Sequence, residues 1–274
     1  LNDAINASGG NVTLDADVDG NGAGTITANA DIAAAGGDID LDGGIITQTA
    51  GTISTSGAGT IALDANGAIT VTDIDAATGA VTATSTTDTI TVTTNGITAT
   101  GAAPITLNAN GDITQSGDLT TVGGNVTLSS TTGALSVSNI SSGTGDIDLD
   151  ASTTISQSSG TIAASGAGTV SIDATGNISV FDINAVNGDV TAASADNAII
   201  IAANGGGINV SGTGALTLNA DTGITLNDDL TTSGGNVSLD TDVDNNGAGD
   251  LTVAVAANVT TGNGALGITA NDID

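Results

Sequence analysis

The sequence predicts an all-β chain folded as a right-handed parallel β-helix, a β-solenoid of about 12 coils of roughly 20–24 residues. Three observations predict it. The sequence repeats on nested scales. Its apolar residues alternate with a period of two. Its composition supplies strand and turn formers and little else.

The longest repeat is the most visible. "LNDAINASGGNVTLDADVDGNGAG" at 1–24 returns as "LNDDLTTSGGNVSLDTDVDNNGAG" at 226–249, gap-free at an offset of 225 residues. Inside it, "SGAGTIALDANGAITVTDIDAATGAVTA" at 56–83 matches "SGAGTVSIDATGNISVFDINAVNGDVTA" at 165–192, an offset of 109. The shortest period begins G-x-[IVL]-x-[LVI], as in "GTIAL" at 59, "GNVTL" at 124, "GDIDL" at 145 and "GNVSL" at 235. Residues 1–274 are therefore expected to form one continuous solenoid. It would hold one unit (1–225, two halves of about 110 residues) and the start of the next (226–274).

One short repeat can be taken element by element. "TIALD" places Ile61 and Leu63 on one face, the period of a strand. "ANG" at 65–67 is a turn, with Asn and Gly supplying backbone freedom. "AITVT" places Ile69 and Val71 on one face again. "DIDAATG" at 73–79 should bend the chain back around Ile74. A unit this small cannot bury its own apolar face, but stacked neighbours share one core. Parallel crossovers favour the right hand. At roughly 4.8 Å per coil the expected rod is on the order of 60 Å long. Residues 9–39 and 234–266 break the short period. Their anchors are Val12, Ile26 and Ile39, then Val237, Leu251 and Leu266. They are lengthened coils, or coils with a hairpin built on "DGNGAG" and "DNNGAG".

Composition narrows function. The chain lacks Lys, Arg, His, Cys, Met, Trp, Tyr and Glu, and carries a formal charge of −30, all from Asp. Phosphate contacts need cationic side chains, so nucleic acid is excluded as a partner. No apolar run approaches the roughly 18 residues of a spanning helix, and the aromatic girdle of an outer-membrane barrel is missing; no membrane insertion is expected. Without His, Cys, Lys, Tyr or Glu, acid–base and nucleophilic catalysis have few candidates, and the expectation is that the protein is not an enzyme. Paired Asp residues in a polysaccharide-processing β-helix are the one enzymatic alternative, and the sugar-stacking aromatics for it are absent. Absence of Lys and Arg leaves no site for trypsin-like proteases, which suits extracellular exposure. The lack of an initiator Met and signal peptide points to a mature or internal piece.

The candidate metal ligands are Asp15, Asp17, Asp19 and Asn21, and their counterparts Asp240, Asp242, Asp244 and Asn246. Their 1, 3, 5, 7 spacing is that of a calcium loop, so Ca²⁺ is the cofactor to consider. Position 12 of such a loop is Ile26 or Leu251 rather than Glu. The other reading puts Leu14, Ala16 and Val18 inward on a strand and the carboxylates in water. Asp64, Asn108, Asp150, Asp173 and Asn219 each follow the last large apolar residue of a strand, so they should stack in a column or serve as plain turn residues. Thr70/Thr72, Thr91/Thr93 and Thr98/Thr100 raise an ice-binding Thr-x-Thr pattern. The counterpart of Thr70/Thr72 is Ser179/Phe181, which breaks it and favours ordinary surface β-formers. Phe181 alternates outward from Ile178 and Val180, either as a lateral contact or tucked at the corner before Ile183.

"GGNVTL", "GAGTIALDANGAI" and "TGDIDLD", repeated along essentially the whole chain, resemble the repeat regions of filamentous-haemagglutinin-like adhesins and related β-strand-repeat bacterial surface exoproteins. The resemblance implies a secreted, right-handed β-helical shaft. The function expected is a structural segment of a long extracellular or cell-surface fibre, whose partners are further copies of the same repeat joined end to end or laterally. A calcium-dependent adhesion module is the alternative.

Overall fold

In the computed structural model, which describes residues 1–274, the chain is an all-β parallel β-solenoid of about 11 turns with no helix. Coils run to about 22 residues. The chain divides into two compact units, Leu1–Gly133 and Ala134–Asp274.

In the first unit each full coil has three strand segments. One set runs through Val12–Asp15, Ile39–Gly43, Ile61–Ala65, Val81–Ser85, Ile105–Ala109 and Val126–Ser130, each parallel to the next. Ile61 sits between Ile39 and Val81, and Leu63 between Leu41 and Ala83. All six are fully buried. Like therefore stacks on like, and each large side chain buried this way stabilises the coil by roughly 1.5–3 kcal/mol. The outward residues between them line the opposite face, as the period of two requires.

The expected bend around Ile74 is instead a third strand segment. Ile69–Ala76 runs through it, and Ile74, Asp75 and Ala76 pair with Ile53, Ser54 and Thr55. The reason is that Ile74 and Ala76 resume the period of two after one extra residue at Thr72–Asp73, and both are buried. The chain turns earlier, at Thr72–Asp73. There Gln48, buried in the preceding coil, replaces the missing ladder. Its Oε1 accepts the N–H groups of Thr72 (3.0 Å) and Asp73 (3.1 Å), and its Nε2 donates to the carbonyls of Gly51 and Asp73.

The second unit repeats this plan. Val170 lies between Ile147 and Val190, and Ile172 between Leu149 and Ala192, all buried. Gln157 makes the same four bonds to Phe181, Asp182 and Gly160. The glycine that opens each short repeat has a steric cause. A Cβ on Gly79 would lie 1.8 Å from the carbonyl oxygen of Gly59 one coil earlier, and on Gly188 1.9 Å from that of Gly168.

The two irregular stretches are lengthened coils with no hairpin. Val12 pairs with Ile39 and Val237 with Leu266, and the extra residues form the loops after Asp15 and Asp240.

Candidate functional site

Asp148 and Asp150 flank Leu149 in the strand Ile147–Ala151, so burying Leu149 and Ile147 turns both carboxylates outward. One coil later, register places Asp173 of Val170–Ala174 beside Asp150. One oxygen from each of Asp148, Asp150 and Asp173 lies within 4.8 Å of the others, and all three side chains are half-buried. The Ser171 hydroxyl donates to Asp173 Oδ2 at 2.9 Å and fixes that carboxylate. Burial, then the charges of Asp173 and Asp146, raise the Asp148 carboxyl above its usual range. Burial, then Asp148 and Asp173, do the same to Asp150. Two carboxylates this close repel by about 0.9 kcal/mol even in water. No cationic side chain exists to relieve them. Three hard oxygen donors converging on one point can hold a metal, and their chemistry suits Ca²⁺ or Mg²⁺, with water completing the shell.

The sequence marked two of these three, Asp150 and Asp173, as members of a stacked column. The column exists in both units. It runs Asp15, Asp42, Asp64, Thr84, Asn108, Ser129 in the first, and Asp150, Asp173, Ala193, Asn219, Asp240 in the second. Asp42, beside Asp15 and Asp64, is also raised, by burial first and then by Asp15, Asp64, Asp17 and Asp40. Asp148 was missed. Its signal was the alternation in "DIDLD", which puts two Asp on one face directly ahead of a third Asp one coil on.

The loop aspartates and asparagines make hydrogen bonds within their own loops. The strand ends at Asp15 in one copy and Asp240 in the other, so the residues beyond do not alternate about a strand. Val18 is 82% exposed and Val243 48%, against the expectation that Val18 points inward. The side chains instead cap the loop. Asp17 Oδ2 accepts the N–H of Gly22 at 2.7 Å, Asp15 Oδ1 that of Asp17, and Asp19 Oδ2 the side-chain amide of Asn21. Asp242, Asp240, Asp244 and Asn246 repeat this, with Asp242 Oδ2 bonded to the N–H of Gly247 at 2.9 Å and Asp244 Oδ2 to the Asn246 amide at 2.8 Å. Gly24 and Gly249 close the loops where a Cβ would lie 1.5 Å from the carbonyl of Ala16 or Thr241. The copies differ at Oδ1 of the second aspartate, among other bonds. Asp17 Oδ1 is shut off from solvent with no partner, whereas Asp242 Oδ1 accepts the N–H of Asn246 at 3.0 Å.

Many other Asp and Asn residues are caps between coils. The residue preceding a strand lends its side-chain oxygen to the N–H of the equivalent residue one coil on. Asp38 serves Thr60, Asp146 serves Thr169, Asp189 serves Ala215 and Asn236 serves Ala265. Pro104, the lone proline, occupies this position too. Having no N–H, it needs no cap, and the residue one coil earlier is Ala80, which could not supply one.

Phe181 is half-buried at the corner between the strands Ile178–Val180 and Asp182–Ala185. Its ring lies against Gly205, where a Cβ would come within 3.1 Å of the ring carbon Cγ. No protein family, curated protein or solved structure matches this chain.

Proposed function

We propose that the chain is a structural repeat segment of a long extracellular or cell-surface fibre, lengthened by further copies of the same repeat. The observation that supports this is the in-register stacking of equivalent residues, coil upon coil. Ile on Ile and Leu on Leu let each coil serve as template for the next, so length can grow without a new core. The absence of cationic side chains suits a proteolysis-resistant shaft. The likeness of "GGNVTL" and "TGDIDLD" to adhesin shaft repeats points the same way. A chain with two tandem copies of residues 1–225 should lengthen in proportion to its mass by small-angle scattering, with unchanged cross-section. A compact, globular increase would reject the reading.

The Asp148/Asp150/Asp173 cluster favours a second reading, a calcium-dependent module in which Ca²⁺ ties two coils together. Millimolar Ca²⁺ should then raise the melting temperature and a chelator reverse it, with the effect lost in Asp150→Asn. Equal melting in both conditions would remove this reading and leave the fibre intact.

A further inference from the structure

The last coil leaves its inward side chains uncovered. Leu266 is 46% exposed, Ile268 40% and Ile273 59%. Their partners one coil earlier, Val237, Leu239 and Leu251, are each 1% exposed. Along Val259–Thr260, Leu266–Thr269 and Asp272–Ile273 the backbone groups facing away from the preceding coil form an unpaired edge. The first coil offers the opposite edge, along Ile5–Ala7, Val12–Asp15 and Thr25–Ala28. The chain itself shows what covers such an edge. Residues 226–249 repeat 1–24, and there Ile208, Leu216 and Ile224 of the coil before lie against Leu230, Val237 and Leu251.

The two edges are in phase. Asp272 and Ile273 continue the columns of Gly223–Asp250 and Ile224–Leu251. Leu1 holds the place of Leu226: its carbonyl accepts the N–H of Asn29 at 2.9 Å, as that of Leu226 accepts the N–H of Ala254 at 2.8 Å. One residue, Thr225, separates Ile224 from Leu226, and one residue, Asp274, follows Ile273. A second copy laid on the last coil therefore sets its Leu1 directly after Asp274, with no strand doubled and none missing. Val259 and Leu266 are seven residues apart, and so are Ile5 and Val12. The long step from Val12 to Ile26 then lies on the short step from Leu266 to Ile273, as Val237–Leu251 already lies on Leu216–Ile224. Charge permits this register. It sets Thr260 beside Asn6, Gly267 beside Thr13, Thr269 beside Asp15 and Asp272 beside Thr25, so no carboxylate faces another across the ladder of a chain that carries −30. We propose that the chain docks head to tail on a second copy of itself, with Leu266–Thr269 of one copy pairing in parallel with Val12–Asp15 of the next. Such a contact joins two different surfaces, so it repeats without closing and gives a filament. This inference rests on the fibre reading and adds to it the surface, the partner and the register.

The test uses the full 274-residue chain, at an ionic strength that screens repulsion between copies. Two single-cysteine variants, Thr260→Cys and Asn6→Cys, would be mixed and oxidised. Both residues point outward, and the proposed register sets them about 4.8 Å apart, within the span of a disulfide. The mixture should give disulfide-linked pairs of chains, and Asn6→Cys mixed with Thr82→Cys should not. By sedimentation the wild type should grow with concentration, while Leu266→Lys/Ile268→Lys, shown to be folded by circular dichroism, should remain a single chain. Single wild-type chains at every concentration would overturn the proposal. So would an assembly in which the first mixture links no better than the second, because the copies would then meet elsewhere. Neither result touches the fibre reading, which stands or falls on the lengthening of covalent tandem copies.

Discussion

Residues 56–83 and 165–192 are two versions of one sentence, and only their outward side changes in chemical character. Inward, Ile61 and Val170, Leu63 and Ile172, Ile69 and Ile178, Ile74 and Ile183, and Val81 and Val190 are all buried. Outward, Thr70 becomes Ser179, Thr72 becomes Phe181, Asp75 becomes Asn184 and Ala62 becomes Ser171. At these paired positions the core keeps apolar residues of similar volume. The surface is free to diverge, and it has. The first unit carries a column of threonines, Thr27, Thr47, Thr70, Thr91 and Thr114, where the second has Ser136, Ser156, Ser179, Ile200 and Thr225. Both carry three aspartates in the same register, Asp40, Asp42 and Asp64, then Asp148, Asp150 and Asp173, and in the second their oxygens lie within 4.8 Å of one another. Inward positions thus specify the coil, and outward ones specify what the coil can meet.

The largest effect should come from breaking the shared side. Leu63→Ala and Ile172→Ala each leave a cavity in a fully packed column and should cost about 2–5 kcal/mol by denaturant unfolding. The two losses should be alike. If one were negligible, the two halves would not share a packing plan.

A smaller effect should come from the divergent side. Asp42, Asp148 and Asp150 are raised in the fold by burial and by neighbouring carboxylates. A raised carboxyl contributes stability fully present below its unfolded value near 3.8, and loses it as pH rises through the folded value. In chelator, the melting temperature should therefore rise by a few degrees from pH 7.5 to about pH 4.5, with solvent screening limiting the gain. Asp150→Asn should raise it at pH 7.5 and flatten the dependence. A steady fall with acidification would contradict the assignment of repulsion to these columns.

The smallest effect concerns one hydroxyl. Thr121, Ser142 and Thr232 end their strands pointing inward, and each donates to the carbonyl of a glycine three residues on. Thr55 holds the same position, but Ala58 stands three residues on, because its corner before Ile61 is one residue longer. Its Oγ1 is buried without a partner. Its counterpart in the other half, Ala164, has no hydroxyl. Thr55→Val should stabilise by about 1 kcal/mol, while Thr121→Val should destabilise by a similar amount. Equal effects of the same sign would show that corner length is not the cause.

Much of this was legible in the sequence. Alternation in "TIALD" and "AITVT" gave the strands, and the G-x-[IVL] repeat gave the coil. What stayed hidden depends on which residues become neighbours across coils. The third strand segment at Ile74 was masked by "DIDAATG", whose Asp and Gly look like a bend. The buried role of Gln48 and Gln157 needs a corner in the following coil. "DADVD" looked like a strand face because its period is two, but the strand stops at its first Asp and the others cap a loop. Asp148 joined the cluster only once register placed Asp173 beside its strand.

That neighbour relation is the central claim, and paired spin labels test it directly. The chain has no native cysteine, so nitroxides can be placed at Thr82→Cys and Thr106→Cys without background. These outward residues are in register on adjacent coils, about 4.8 Å apart along the ladder. The account predicts strong spin–spin broadening for this pair and weaker coupling for Thr82→Cys with Thr127→Cys, two coils apart. Sharp, uncoupled spectra from the first pair would contradict the stacked solenoid.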